Sequence, residues 1–216
     1  MKRRLVLALA LASAAVALMP SPAQARTLSR GDCGSDVFAL QVRLANRSYL
    51  PQKYRPGCFD ARTEQAVMAF EGWANFTRNG VFGRTEAARL PNSVTPIPIT
   101  GDRKFRHIEI NKSKQIMIVV GKDGVVKRTY HVSTGASATR TPSGKFRIYS
   151  KSKMSWSTLF HVWLPYAQYV VGGIAIHGFS SVPAYPASHG CIRMPMNEAP
   201  GLYSWTEVGT AVWLYT

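Results

Sequence analysis

The hydrophobic rhythm of the chain changes twice. An almost unbroken apolar run from Leu5 to Met19 gives way to helical spacing between residues 27 and about 92, and from Phe105 onward to short alternating stretches. In the helical part, Ser35-Asp36 reads as an N-cap ahead of Val37, Leu40 and Leu44, which fall on one face. Asp60 is a second cap, ahead of Val67 and Phe70. The segment Phe59-Asp60-Ala61-Arg62-Thr63-Glu64-Gln65-Ala66 is echoed by Phe82-Gly83-Arg84-Thr85-Glu86-Ala87-Ala88. Each half places a turn before a Thr-Glu first turn, where the acid suits the helix dipole. Two such half-units predict a small three-helix domain over residues 26–92.

Pro91, Pro96 and Pro98 interrupt both periods, so residues 93–101 read as a semi-rigid linker. Beyond it, Ile108, Ile110, Ile116, Ile118 and Val120 fall at even spacing. Lys122-Asp123-Gly124 is a hairpin turn signal, and Val125, Val126, Tyr130 and Val132 continue past it. Further short strands are expected at Phe146–Tyr149, Phe160–Trp163, Gly173–Ile176 and Ala211–Tyr215. The helical signal is weak except near Met196 to Trp205. Many short strands separated by turns predict a mainly-β, β-sandwich-like domain over residues 102–216. The expected class is therefore α+β with two domains.

Residues 1–25 have the form of an export signal. Met1-Lys2-Arg3-Arg4 is a positive start, the apolar run follows, Pro20-Ser21-Pro22 breaks it, and Ala23-Gln24-Ala25 is a small-x-small cleavage site. The run is shorter than the roughly 20 residues needed to span a bilayer, so cleavage is favoured over anchoring. Losing Lys2, Arg3 and Arg4 lowers the formal charge from +16 to +13. A basic exported protein points away from nucleic acid and toward cell-wall polymers bearing carboxylates and phosphates. The three cysteines are Cys33, Cys58 and Cys191. In an oxidising compartment idle thiols pair, so an odd count leaves one over. Cys33 and Cys58 lie together in the small helical segment, where a bridge would support a thin core. Cys191 stands apart.

The company Cys191 keeps is the most informative feature: Ile176-His177-Gly178, then Ser188-His189-Gly190-Cys191-Ile192-Arg193-Met194. A cysteine attacks carbonyls as thiolate and needs a base or a nearby cation, and two histidines and an arginine are at hand. Gly190 lets backbone approach closely, and the N–H groups around Gly190-Cys191 are candidates for an oxyanion hole. Zinc held by His177, His189 and Cys191 is disfavoured, since ligands so close on a short loop do not easily form a tetrahedron. A packed structural cysteine with satisfied histidines stays open from the residues alone.

The wider pattern resembles known families. Ser188-His189-Gly190-Cys191-Ile192-Arg193 resembles the signature of L,D-transpeptidases with a YkuD-type catalytic domain. Val132-Ser133-Thr134-Gly135 with Thr141-Pro142-Ser143-Gly144-Lys145-Phe146-Arg147-Ile148 resembles that family's upstream block, and Gly209-Thr210-Ala211-Val212 its closing strand. The resemblance implies Cys191 as nucleophile and His177 as general base. It implies that His189, Gly190 and Arg193 shape the site and stabilise developing charge, and that Ser188 supports the loop. The implied reaction needs no metal or organic cofactor. Cys191 attacks the carbonyl before the terminal D-alanine of a tetrapeptide stem, and an amine of a second stem resolves the thioester as a 3→3 peptidoglycan cross-link. A carbapenem is the implied covalent inhibitor. An L,D-carboxypeptidase on the same scaffold and a wall-binding protein with an inert catalytic domain are the alternatives. NlpC/P60-like peptidases place cysteine before histidine, whereas here His177 precedes Cys191. Two departures stand out: the stretch from His177 to Ser188 is short and stiffened by Val182-Pro183-Ala184-Tyr185-Pro186, and some members carry Asn in place of Arg193.

The helical segment resembles the type-1 peptidoglycan-binding domain through Leu28-Ser29-Arg30-Gly31, Asp36-Val37, Ala39-Leu40-Gln41, Arg43-Leu44, Tyr49-Leu50, Phe59-Asp60, Thr63-Glu64, Ala66-Val67 and Ala69-Phe70. Glu71 stands where that family usually has Gln, and Trp73-Ala74-Asn75-Phe76 also departs from it.

Overall fold

The structure is a computed structural model that describes residues 26–92, 95–99 and 105–216. The expected export signal and part of the expected linker lie outside these residues.

Three helices build the N-terminal part: α1 (Ser35–Asn46), α2 (Ala61–Ala74) and α3 (Arg84–Arg89), followed by a 3-10 turn at Leu90–Asn92. The first cap differs from expectation. Gly34, with φ 140°, precedes α1 without a side-chain cap. The Asp36 carboxylate is instead drawn to Arg26 at 2.6 Å and accepts from its neighbour Val37. Asp60 does cap α2, accepting from the Thr63 N–H at 2.9 Å and its hydroxyl at 3.0 Å. In the echoed half, the Glu86 carboxylate reaches back to the Gly83 N–H at 2.9 Å. Leu28 pairs with Phe82 in a backbone bridge that ties the start of this part to the turn before α3.

A disulfide joins Cys33 to Cys58, 25 residues apart. Closing a loop of that size contributes on the order of 3 kcal/mol in the chain-entropy picture. Gln41, fully buried, locks the same corner: its amide donates to Cys58 O and Thr63 Oγ1 at 3.0 Å and accepts from Gly57 at 3.0 Å. Val37, Leu40, Leu44, Tyr49, Phe59, Val67 and Phe70 form the core.

The β part contains nine strands among the described residues: β1 (His107–Asn111), β2 (Ile116–Val120), β3 (Val126–His131), β4 (Gly144–Arg147), β5 (Ser150–Ser157), β6 (Val162–Val171), β7 (Ile174–Phe179), β8 (Ile192–Pro195) and β9 (Ala211–Tyr215). Helix α4 (Ala199–Trp205) precedes β9. The strands form two sheets, ordered β3-β2-β1-β9-β4 and β5-β6-β7-β8. Ile108, Ile110, Met117, Val119, Ile176, Ile192, Met194, Val212 and Leu214 meet in the core they share. A mainly-β sandwich behind a helical unit is the architecture the alternation implied.

Strand β2 is apolar on both faces. Met117 and Val119 face the sandwich core, whereas Ile116, Ile118 and Val120 join Val126 and Trp73 of α2 in a separate cluster. The helical part therefore docks on the outer face of the five-stranded sheet. Gly72 permits the contact, since a Cβ there would lie 2.7 Å from Lys114 O. Lys114 Nζ donates to Trp73 O at 3.0 Å, Ser48 Oγ donates to Val126 O at 3.0 Å, and Glu198 pairs with both Arg62 and Arg128 at 3.0 Å.

Glu71 is fully buried and receives the Gly80 N–H at 3.0 Å. Burial pushes its carboxyl up to about 7. The folded state thus keeps a proton that the unfolded chain releases near pH 4.3. Between these values the native state binds more protons, so this group's contribution to stability falls as pH rises. Glu71→Gln removes that dependence. Urea midpoints should show the variant gaining on the wild type from pH 5 to pH 8, and a constant gap would contradict this account.

Candidate active site

The site is assembled where β8 joins β7. The two run parallel, with Ile176 opposite Ile192 and His177 opposite Arg193. Parallel neighbours need a crossover of about a dozen residues, and residues 180–191 supply it. Its last part, Ala187 to Cys191, is held almost entirely by hydrogen bonds to the segment after β3. Ala187 and Ser188 N–H donate to Thr134 O at 2.9 and 3.0 Å. Ser188 O accepts from Ala136 N–H and Thr139 Oγ1 at 2.9 Å. Ser133 and Arg193 exchange backbone bonds at 3.0 and 2.9 Å.

Two buried polar side chains complete this frame. Thr141 accepts from the Gly135 N–H at 2.8 Å and donates to Gly190 O at 2.7 Å. The Gln115 amide both donates to Thr134 Oγ1 and accepts from Thr134 N–H at 2.7 Å. Gly135 and Gly190 pass so closely that a Cβ on Gly135 would lie 2.9 Å from Gly190 Cα and 2.0 Å from Thr139 O. Gly190 itself has φ +113°, a conformation open to glycine.

Ser188 Oγ donates to Cys191 O at 2.5 Å and accepts from the Gly190 N–H at 3.1 Å. That second bond corrects one expectation. The Gly190 N–H is spent on the loop's own serine and is not free to serve an oxyanion hole.

Cys191 carries a free, half-buried thiol. The Ala175 N–H is aimed at its sulfur at 3.5 Å, and Gly173 O lies 3.8 Å away. Burial pushes the thiol pKa up, while the Ala175 N–H and the Arg193 charge pull it down in part. His177 is buried on β7, and its Nδ1 lies 3.0 Å from Gly178 O. A carbonyl can only accept, so Nδ1 holds the proton and Nε2 presents a lone pair. Burial lowers the imidazole pKa to about 4, so the ring is neutral at physiological pH. His189 is exposed, and its ring stacks on Phe160 at 4.6 Å. The Arg193 guanidinium lies over the Phe179 ring at 4.3 Å, and Phe179 meets His177 edge-on at 5.8 Å.

One cleft of 190 Å³ is lined by Phe160, Val162, Leu164, His177, Phe179, Ser188, His189, Cys191 and Arg193. Of the six residues singled out in the sequence, five line it, and Gly190 packs behind the loop near Ile174 and Thr139. Sequence reasoning missed the roles of Gln115, Thr141, the Ala175 N–H, Phe160 and Phe179. The block Ser133-Thr134-Gly135 with Thr141 carried a signal for Thr141. Nothing in the sequence marked the others. Among the described residues, no group of three His, Cys, Asp or Glu side chains is placed to hold a metal ion.

Both parts of the chain have counterparts among known proteins. Residues 105–214 match the YkuD model, the L,D-transpeptidase catalytic domain, and residues 33–90 match a peptidoglycan binding domain model. Among solved structures, an L,D-transpeptidase from Xylanimonas cellulosilytica is 36% identical with a TM-score of 0.81, over 91% of this chain and 100% of that one. An L,D-transpeptidase from Stackebrandtia nassauensis is 21% identical with a TM-score of 0.54, over 88% of this chain and 95% of that one, and shares the fold. No curated protein matches the chain. A YkuD match over half the chain, and a 36% identical relative aligned across both of its parts, place this protein in the L,D-transpeptidase family, with a peptidoglycan-binding domain ahead of the catalytic one.

Proposed function

We propose that the protein forms 3→3 peptidoglycan cross-links by acyl transfer through a Cys191 thioester. The observation that carries this reading is the pairing, in one cleft, of a free Cys191 thiol with a neutral His177 whose Nδ1 proton is tied to Gly178 O. That tautomer leaves Nε2 as the basic atom.

The donor is a tetrapeptide stem with its last peptide carbonyl over the sulfur. His177 Nε2 takes the thiol proton as sulfur bonds to the carbonyl carbon. Charge developing on sulfur is offset by the Ala175 N–H and by Arg193. The tetrahedral adduct collapses, the C–N bond breaks, and the departing nitrogen takes the proton back from His177. D-Alanine leaves and the thioester remains. A side-chain amine of a second stem then attacks the thioester carbon and gives its proton to His177. The C–S bond breaks and sulfur recovers a proton. Ser188 and Gly190 hold the loop, and His189 with Phe160 walls the cleft. Residues 26–92 keep the enzyme on the wall, residues 93–101 connect it to the catalytic part at 102–216, and residues 1–25 direct export. The positive charge favours wall polymers that carry carboxylate or phosphate.

An acylating carbapenem should add to Cys191, and intact-mass spectrometry reads the adduct directly. Cys191→Ala should lose both the adduct and D-alanine release. His177→Ala should slow acylation by roughly 10²–10⁴-fold, the range for a lost general base. An adduct that survives Cys191→Ala would falsify the nucleophile.

The pH profile follows from the same burial. His177 works as a base only when neutral, and its pKa is about 4. The acid limb of kcat/KM for donor acylation should therefore fall near pH 4, well below the ordinary histidine value of about 6.5. A limb at 6.5 would contradict a base as deeply buried as His177.

A further inference from the structure

The cleft contains a cation that no carboxylate of the described residues neutralises. Arg193 leaves β8 opposite His177 and lines the same cleft as Cys191. Its guanidinium has no hydrogen bond or ion pair among the described residues, and no carboxylate lines the cleft. Other half-buried arginines are matched: Arg62 and Arg128 with Glu198 at 3.0 Å, and Arg106 with Glu207 at 3.4 Å. Phe160, Val162, Leu164 and Phe179 make the surroundings apolar, so an unmatched charge there is costly until an anion enters. Stacking over Phe179 fixes the plane of the guanidinium through its face and leaves its N–H donors unspent. A planar fork of donors suits a carboxylate.

Position identifies which carboxylate. Cys191, in the bend before β8, and Arg193, on β8, are two residues apart and line the same cleft, so their backbones lie within about 7 Å of each other. A long arginine side chain spans that gap. In a peptide that ends one residue past the attacked carbonyl, the terminal carboxylate lies within about 3.8 Å of that carbonyl, one residue repeat. In a peptide one residue longer, an uncharged amide occupies that place and the carboxylate moves one repeat further out.

We propose that Arg193 forms a carboxylate subsite that reads the free C-terminus of the donor, restricting donors to peptides that end one residue beyond the attacked bond. The proposal rests on the acyl-transfer reading of Cys191 and adds to it the means by which the donor's length is measured.

The test compares three synthetic donors: the tetrapeptide free acid, its C-terminal carboxamide and a pentapeptide one residue longer. Second-order rates of thioester formation are read by mass spectrometry on wild type, Arg193→Gln and Arg193→Lys. Wild type should prefer the free acid over the carboxamide by roughly 10–100-fold, the worth of a hydrogen bond to a charged group. The pentapeptide should behave like the carboxamide. In Arg193→Gln the acid-to-amide ratio should fall to near one whatever the absolute rates, and Arg193→Lys should keep part of the preference. Because the readout is a ratio within one protein, general damage to the fold or to the thiol cancels. A ratio near one in the wild type, or an unchanged ratio in Arg193→Gln, overturns the proposal and leaves acyl transfer standing. If no donor acylates a Cys191 that iodoacetamide still alkylates, the acyl-transfer reading itself falls, and the subsite with it.

Discussion

The site depends on the parallel pairing of β8 with β7. A strand that returns parallel to its neighbour arrives through a crossover, and the crossover must be stiff if it is to hold a nucleophile. Here the stiffness comes from polar groups that leave little freedom to residues 187–191. Thr134 O takes two N–H groups, Ser188 O takes two donors, and Thr141 links Gly135 to Gly190. Buried hydrogen bonds of this kind cost little when all are made and much when one is lost. Gly135 follows from the same geometry, because a Cβ there would strike Thr139 O and Gly190 Cα, and Gly190 follows from its φ of +113°. Ser188 serves the loop rather than the chemistry, donating to Cys191 O and occupying the Gly190 N–H.

Burial then sets the protonation states. His177 and Cys191 are both removed from water, and each is pushed toward its neutral form. Both shifts favour thiol and imidazole over thiolate and imidazolium at neutral pH. In the proposed mechanism proton transfer then accompanies attack, and the bond from Nδ1 to Gly178 O keeps the lone pair on Nε2 available for it. The second apolar face of β2 has a separate consequence. It seats the helical part on the outer face of the sheet, through Trp73 and the close approach at Gly72.

Much of this was legible in the sequence, for physical reasons that can be named. Alternation over 108–120 gave β1 and β2 because both are buried, and the Thr-Glu echo gave α2 and α3 because each begins with a capped turn. Strand β5 was invisible: Ser150-Lys151-Ser152-Lys153 carries no apolar alternation, since its hairpin with β6 projects into solvent. Strand β8 was read as a motif and not as a strand, because four residues are too few to show a period. The cap of α1 shifted to Gly34 once Arg26 claimed Asp36. At the site, the signature drew attention to His177 and to residues 188–193. It could not show that Gly190 is bonded internally, that Arg193 lies over Phe179, or that Phe160 reaches His189, because those depend on contacts across the fold.

The proposed function stands on acyl transfer from one stem peptide to another. Its most direct measurement is mass spectrometry of the muropeptides formed when the purified mature protein meets disaccharide-tetrapeptides. The account predicts a cross-linked dimer that has lost one D-alanine and carries its new bond between the two third residues. Tripeptide monomers with no dimer would show that water is the acceptor, and unchanged tetrapeptides alongside an alkylatable Cys191 would contradict the account outright.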